Sequence, residues 1–244
     1  MDKVVIRHLI MKIKIEKKII LSSFLFSIFL NSASAEYYSG SNKDEARIVR
    51  APIWVFIEGQ PALMSEDEGS TFTPPKEALQ EVARFLLSGM SYGWKFTYTP
   101  HDKSREVKEV FELVPISEVN IQSELRYSDV RVHYPYVSSW VEYPLSSNDL
   151  ARHSSWNSLK FKTIKGSGEG RRKDELEGVK TAYINAIKMA IVGYAKKTVK
   201  NRPKEIIGEI LLKNSPRLFC ASGLFKAEVE LYINVREVIP YSYF

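Results

Sequence analysis

Two pairs of residues share one spacing: Asp129 and His133, and Asp149 and His153, each an aspartate followed four positions later by a histidine. On a helix this spacing puts carboxylate and imidazole on one face, where they could grip a metal ion. On a strand it holds them roughly 13 Å apart. Residues 129–133 alternate and read as strand, and 145–155 reads as a loop or brief helical turn. No metal site is therefore predicted, and both pairs are read as solvated polar residues. Nucleophilic catalysis needs a serine or cysteine beside a base and an orienting group. The chain has no G-x-S-x-G, and the serines of "HSSW" (153–156) belong to no motif. Cys220, in "RLFCASGLF", reads as a small buried apolar residue. No catalytic residue is assigned and no cofactor is expected. The alternative enzyme reading is an extracytoplasmic hydrolase using His133 or His153.

The stretch "TIKGSGEGRRKDELEG" (163–178) raises the question of a phosphate cradle. A Walker loop needs G-x-x-x-x-G-K-[ST], and a dinucleotide loop needs G-x-G-x-x-G. From Gly166 the sixth position is Arg171, and from Gly168 it is Lys173, so neither pattern is met. An anion near Gly168, Gly170, Arg171 and Arg172 at the start of the following helix would face Asp174, Glu175 and Glu177. These carboxylates already complement the helix dipole. The glycines are expected to form a strand-to-helix turn.

The rings of "HYPYVSSWVEYP" (133–144) are the strongest binding signal. Tyr134, Tyr136, Trp140 and Tyr143 would anchor a partner protein or stack on a glycan if exposed, and fill a core if buried. Alternation predicts some of each. The acidic "SEDEG" (65–69) lacks the regular oxygen spacing of a calcium loop and reads as solvated.

The elements that would position these residues follow from periodicity. "PIWVFIEG" (52–59) reads as a buried strand. Residues 73–89 form a short helix with prolines in its first turn and an apolar stripe of Leu79, Val82, Ala83, Leu86 and Leu87. Strands are expected over 92–100, 106–116, 124–144 and 157–168. A long helix covers about 173–200 with a 3.6-residue apolar period. Its Ala182, Ala186 and Ala190 keep one edge small enough for a flat surface to pack closely. Residues 201–214 are expected as a second helix, and 216–223 and 224–238 as closing strands. The fold class is α+β: antiparallel sheets with helices packed on one face, and the shared strand–helix–strand order over 51–150 and 151–244 is consistent with two similar units.

The run "FKTIKGSGEG…GVKTAYINAIKMAIVGYAKK…ASGLFKAEVELYINVREV" resembles the bacterial envelope family that includes the amino-terminal domain of flagellar assembly protein T and related small surface lipoproteins. The resemblance implies an exported, non-enzymatic role with envelope or flagellar protein partners.

Residues 1–35 read as a secretory signal peptide. Lys12, Lys14, Lys17 and Lys18 precede the apolar run "IILSSFLFSIFL", and Ala33-Ser34-Ala35 ends it. That run is shorter than the roughly 20 residues a membrane span needs. Residues 36–50 read as a flexible segment. The whole chain carries 35 basic and 29 acidic residues, a net +6. Residues 1–35 hold six of the basic and two of the acidic ones, so the remainder has 29 against 27, a net +2. Nucleic-acid binding calls for a stronger basic excess. One cysteine leaves no internal disulfide, so stability must come from a core. The expectation is an exported, periplasmic or surface binding component, with a glycan-binding role as a further alternative.

Overall fold

Strict alternation makes the first strand. In β1 (Ile48–Phe56), Val49, Ala51, Ile53 and Val55 are buried and their neighbours are not. β1 pairs antiparallel with β5 (Tyr136–Pro144), which pairs in turn with β4 (Arg126–His133), giving a three-stranded sheet in the order β1–β5–β4. The inner face of this sheet rests on α1 (Pro75–Ser91). Pro75 and Glu77 suit the helix's first turn, and the predicted stripe of Leu79, Val82, Ala83, Leu86 and Leu87 is buried as read. The structure is a computed structural model that describes residues 48–58, 73–120, 125–158, 160–199 and 202–241. The expected signal peptide, most of the segment 36–50 and the acidic loop lie outside the described residues.

The second sheet has the order β3 (Val110–Pro115), β2 (Trp94–Thr99), β7 (Glu205–Leu212), β9 (Leu224–Ile239), β6 (Lys162–Arg171), with β8 (Arg217–Ala221) also paired to β9. Every pairing is antiparallel. The long helix α3 (Glu175–Thr198) lies across β6 and β9 on one face. The opposite face carries ion pairs between strands, such as Lys226–Glu169 (2.9 Å), Arg236–Glu209 (2.8 Å) and Lys213–Glu230 (3.2 Å). It is solvated. A shorter helix, α2 (Ser147–Trp156), links the two sheets. The fold is α+β, with antiparallel sheets and helices on one face. Residues Lys43–Phe244 cluster as one compact unit, and β2 from the first half of the chain pairs with β7 from the second.

The glycines at 166, 168 and 170 are not a turn. They continue β6, with Gly168 and Gly170 buried against α3. A Cβ on Gly168 would lie 2.1 Å from Ala186 N, and one on Gly170 would lie 1.9 Å from Gly178 O. Ala182, Ala186 and Ala190 are the facing stripe, all essentially fully buried. The helix thus settles onto strand backbone with no side chain between them, and the small residues on both elements are one packing device. The flat surface expected above the alanines is this strand.

Residues 201–214 also differ from the expected helix, forming β7. Short apolar runs fit both periods. Here Ile206, Ile210 and Leu212 turn inward with Gly208, whose missing Cβ makes room for the Phe96 ring. Cys220, expected inside, is exposed on β8: its register sets it opposite the buried Phe225, on the same face, but at this end of β8 that face is left open.

Candidate functional site

The aromatic stretch folds into the β4–β5 hairpin, whose two-residue turn is Tyr134-Pro135 with a cis peptide bond. The turn is tied down by Ile57, whose N–H donates to Pro135 O at 2.9 Å. Alternation along β5 splits the named rings. Tyr143 faces inward, is 5% exposed, and shares a 2.7 Å hydrogen bond between its hydroxyl and that of Tyr92. It is a core residue and is not available to a partner. Trp140 faces outward, but Arg50 lies 4.2 Å above its ring and pairs with Glu142 at 3.1 Å. Tyr136 is 42% exposed and meets Trp54 and Phe56 edge-on. Tyr134, at the tip, is 77% exposed.

The hairpin exposes more than the tyrosines. Val130 and Val132 on β4 are 60% and 70% exposed. Val132 is registered opposite Val137, and Tyr127 opposite Val141, so both belong to the inner face of the sheet. There α1 covers β1 and β5. β4 carries that apolar face outward as the edge strand, interrupted by a register shift between Ser128 and Arg131. Burial also pushes the Tyr127 hydroxyl pKa up.

The second expected cluster does not form an anion cradle. Gly168 and Gly170 are sealed under α3. Arg171 turns back to Asp174 at 2.8 Å, and Arg172 lies 4.4 Å over the Phe56 ring. The aspartates of the two aspartate–histidine pairs are engaged locally. Asp129 bonds Arg131 at 2.8 Å. Asp149 does sit on helix α2 with His153, but it is engaged at the helix start, where Ser146 Oγ donates to its carboxylate at 2.6 Å and accepts from its N–H at 3.2 Å. Burial holds the His153 pKa down, favouring the neutral ring. Among the described residues no group of His, Cys, Asp and Glu has metal-binding geometry. No helix among them is long and apolar enough to cross a membrane.

No local motif announces a third feature, a cleft of about 530 Å³ beside the last turns of α3. Its residues come from positions about 100 apart in sequence and meet only because β2 pairs with β7 under α3. Tyr98 Oη donates to Glu109 Oε1 at 3.1 Å, and Lys188 Nζ donates to the other carboxylate oxygen. The lysine, and then Tyr98, hold the Glu109 pKa below the usual carboxylate range. Burial, reinforced by Glu109, pushes the Tyr98 pKa up to about 12. Asp102 accepts from Ser104 N, Ser104 Oγ (2.6 Å) and Arg105 Nη1 (2.7 Å), and these bonds lower its pKa to about 2.

Comparison with known proteins identifies no activity. A protein of Treponema pallidum (strain Nichols), described as an uncharacterized protein, is 37% identical over 215 residues, covering 88% of this chain and 90% of that one. No solved structure matches. A family of uncharacterized proteins matches residues 37–241, and this overturns the resemblance to the flagellar assembly protein T family. That resemblance rested on glycines, an alanine stripe and a closing strand. Those are what any helix packed directly on a strand demands, so they carry no family signature. The chain belongs to the uncharacterized family that spans its residues 37–241 and is represented in Treponema pallidum.

Proposed function

We propose that the protein is an exported, non-enzymatic binding component of the bacterial envelope, docking a protein partner through the β4–β5 hairpin. The observation that carries this reading is the exposure of Val130, Val132 and Tyr134 along the edge strand and tip of one hairpin, with Tyr136 exposed on its other face. Exposed aromatic and β-branched side chains grouped in one place favour association with a partner surface. The sheet edge adds unpaired backbone groups that a partner strand can use. A protein partner fits better than a glycan. Glycan stacking needs a broad free ring face, and Trp140 is covered by Arg50 while Trp54 is engaged by Phe56 and Tyr136. Export is supported by the sequence of residues 12–35, and the non-enzymatic reading by the engagement of Asp102, Glu109, Asp129 and Asp149 in structural bonds.

The test is in-cell crosslinking of the tagged protein in its native envelope, comparing the parent with Val132→Ser/Tyr134→Ser. Thr163→Ala, on the solvated face of the second sheet, is the control. Both hairpin side chains are largely exposed, so folding should be unaffected by circular dichroism. The crosslinked species should fall about tenfold in the hairpin variant and persist in the control. Equal recovery from all three proteins would remove the hairpin from the binding surface.

A further inference from the structure

The cleft beside α3 has an apolar floor and an unbalanced charge at its mouth. Val192, Ala195 and Ile206 are buried along the floor, with Val199 and Pro203 beside them. On the other side of the same helical turn lies a smaller apolar void of about 50 Å³, lined by Phe96, Ile191 and Ile233 among others. Ala195, Val199 and Ile206 form the wall common to both spaces. These three residues therefore border unfilled space in both, where tight packing is the norm.

The charge at the mouth is net positive. Glu109 is committed to Lys188 and Tyr98, and Asp102 to Arg105 and Ser104. Those two carboxylates are thus each matched by a cation of their own. Lys196 has no ion-pair partner among the described residues. Arg202 reaches Asp102 only at 3.8 Å and keeps 58% of its side chain exposed. His101 adds a third nitrogen base at the rim. Two cations in surplus over an apolar floor match a ligand that is anionic at one end and apolar at the other, and the space is within the range of small-molecule sites.

We propose that this cleft binds a small amphiphilic carboxylate, its apolar body on the Val192–Ala195–Ile206 floor and its carboxylate between Lys196 and Arg202. A guanidinium and an ammonium on separate elements hold a carboxylate through charge-assisted hydrogen bonds. The site is independent of the hairpin.

Calorimetric titration of the purified chain tests this with three probes: octanoate, octylammonium and inorganic phosphate. Octanoate should bind as one molecule per chain, about tenfold or more tighter than either of the others. Octylammonium shares the apolar body with the opposite charge, and phosphate has the charge without the body. Lys196→Glu/Arg202→Glu, both exposed positions, should leave the fold intact and weaken octanoate about tenfold or more. The proposal is overturned by equal binding of octanoate and octylammonium, by phosphate binding as well as octanoate, by unchanged affinity in the double variant, or by no octanoate binding at all. Crosslinking through the hairpin should be the same in this variant as in the parent, which keeps the two sites separable.

Discussion

Gly168 and Gly193 belong to the same helix–strand pair and should answer an added methyl in opposite ways. At Gly168 the methyl would be driven into Ala186 N, 2.1 Å away, and into Ala182 O at 2.6 Å. Backbone cannot rotate aside, so Gly168→Ala should destabilise by at least about 2 kcal/mol or prevent folding. At Gly193, within α3, nothing lies within 4 Å of the same methyl. Gly193→Ala should stabilise by about 0.5–1 kcal/mol through helix propensity. Urea unfolding of both variants checks the pair, and equal effects would mean the glycines of β6 are not there for close approach. Asp102 gives a different readout. Its folded pKa of about 2 lies below the ordinary aspartate value, so its bonds contribute stability above about pH 4, and that contribution is lost as pH falls toward 2. Asp102→Asn should flatten the stability profile between about pH 4 and pH 2 relative to the parent. A parallel profile would show that Asp102 does not link folding to acid. Of these residues, the alanine stripe was legible because its spacing is intrinsic to a helix. The glycines were legible only as small, since nothing local says whether a glycine bends a chain or lets another backbone approach it.

At the scale of elements, legibility followed how much of an element's environment its own sequence encodes. β1, α1, α3 and β9 each show one clean apolar period, because each packs a single face against the core. β7 does not. It is the central strand between β2 and β9, and its last three residues are all buried, so it reads as an apolar run without direction. Helix and strand are then separated by context, here the Phe96 ring above Gly208, which lies about 110 positions away in sequence. β6 is an edge strand whose outer side needs protection. Asn185 of α3 provides some of it, donating to Glu169 O at 2.8 Å. β4 is the other kind of edge. Its register shift and the Asp129–Arg131 pair interrupt it, yet it keeps Val130 and Val132 in water. An edge partly guarded and partly apolar suits selective pairing better than indiscriminate aggregation. The hairpin was visible in sequence as a ring-rich stretch. Which rings face out was not, because Trp140 and Tyr136 fall on the same face and differ only in what comes from β1 to cover them.

For the whole molecule, the pairing of β2 with β7 decides how it should unfold. Sequence reading suggests two similar halves, with a boundary near residue 150. In the fold, Trp94 through Tyr98 form a ladder with Ile210 through Ile206, so one half supplies strands to a sheet completed by the other. The three-stranded sheet depends on α1 for cover, and α1 also reaches β7. A fragment of residues 43–145 would keep β2 and β3 with an open edge where β7 belongs, and would bare the buried Trp94 and Phe96. A fragment of residues 146–244 would leave Ile206 and Ile210 without β2 beside them. Exposing so much apolar surface and so many unpaired backbone groups should outweigh what each fragment retains. We therefore expect neither fragment to show a cooperative thermal transition by far-ultraviolet circular dichroism. The intact chain should unfold in one step, with tryptophan fluorescence and circular dichroism coinciding. Trp94 reports the large sheet and Trp140 the small one, so two separated fluorescence transitions, or a fragment that melts cooperatively, would show that the halves are independent folding units joined by β2 and β7 only after each has formed.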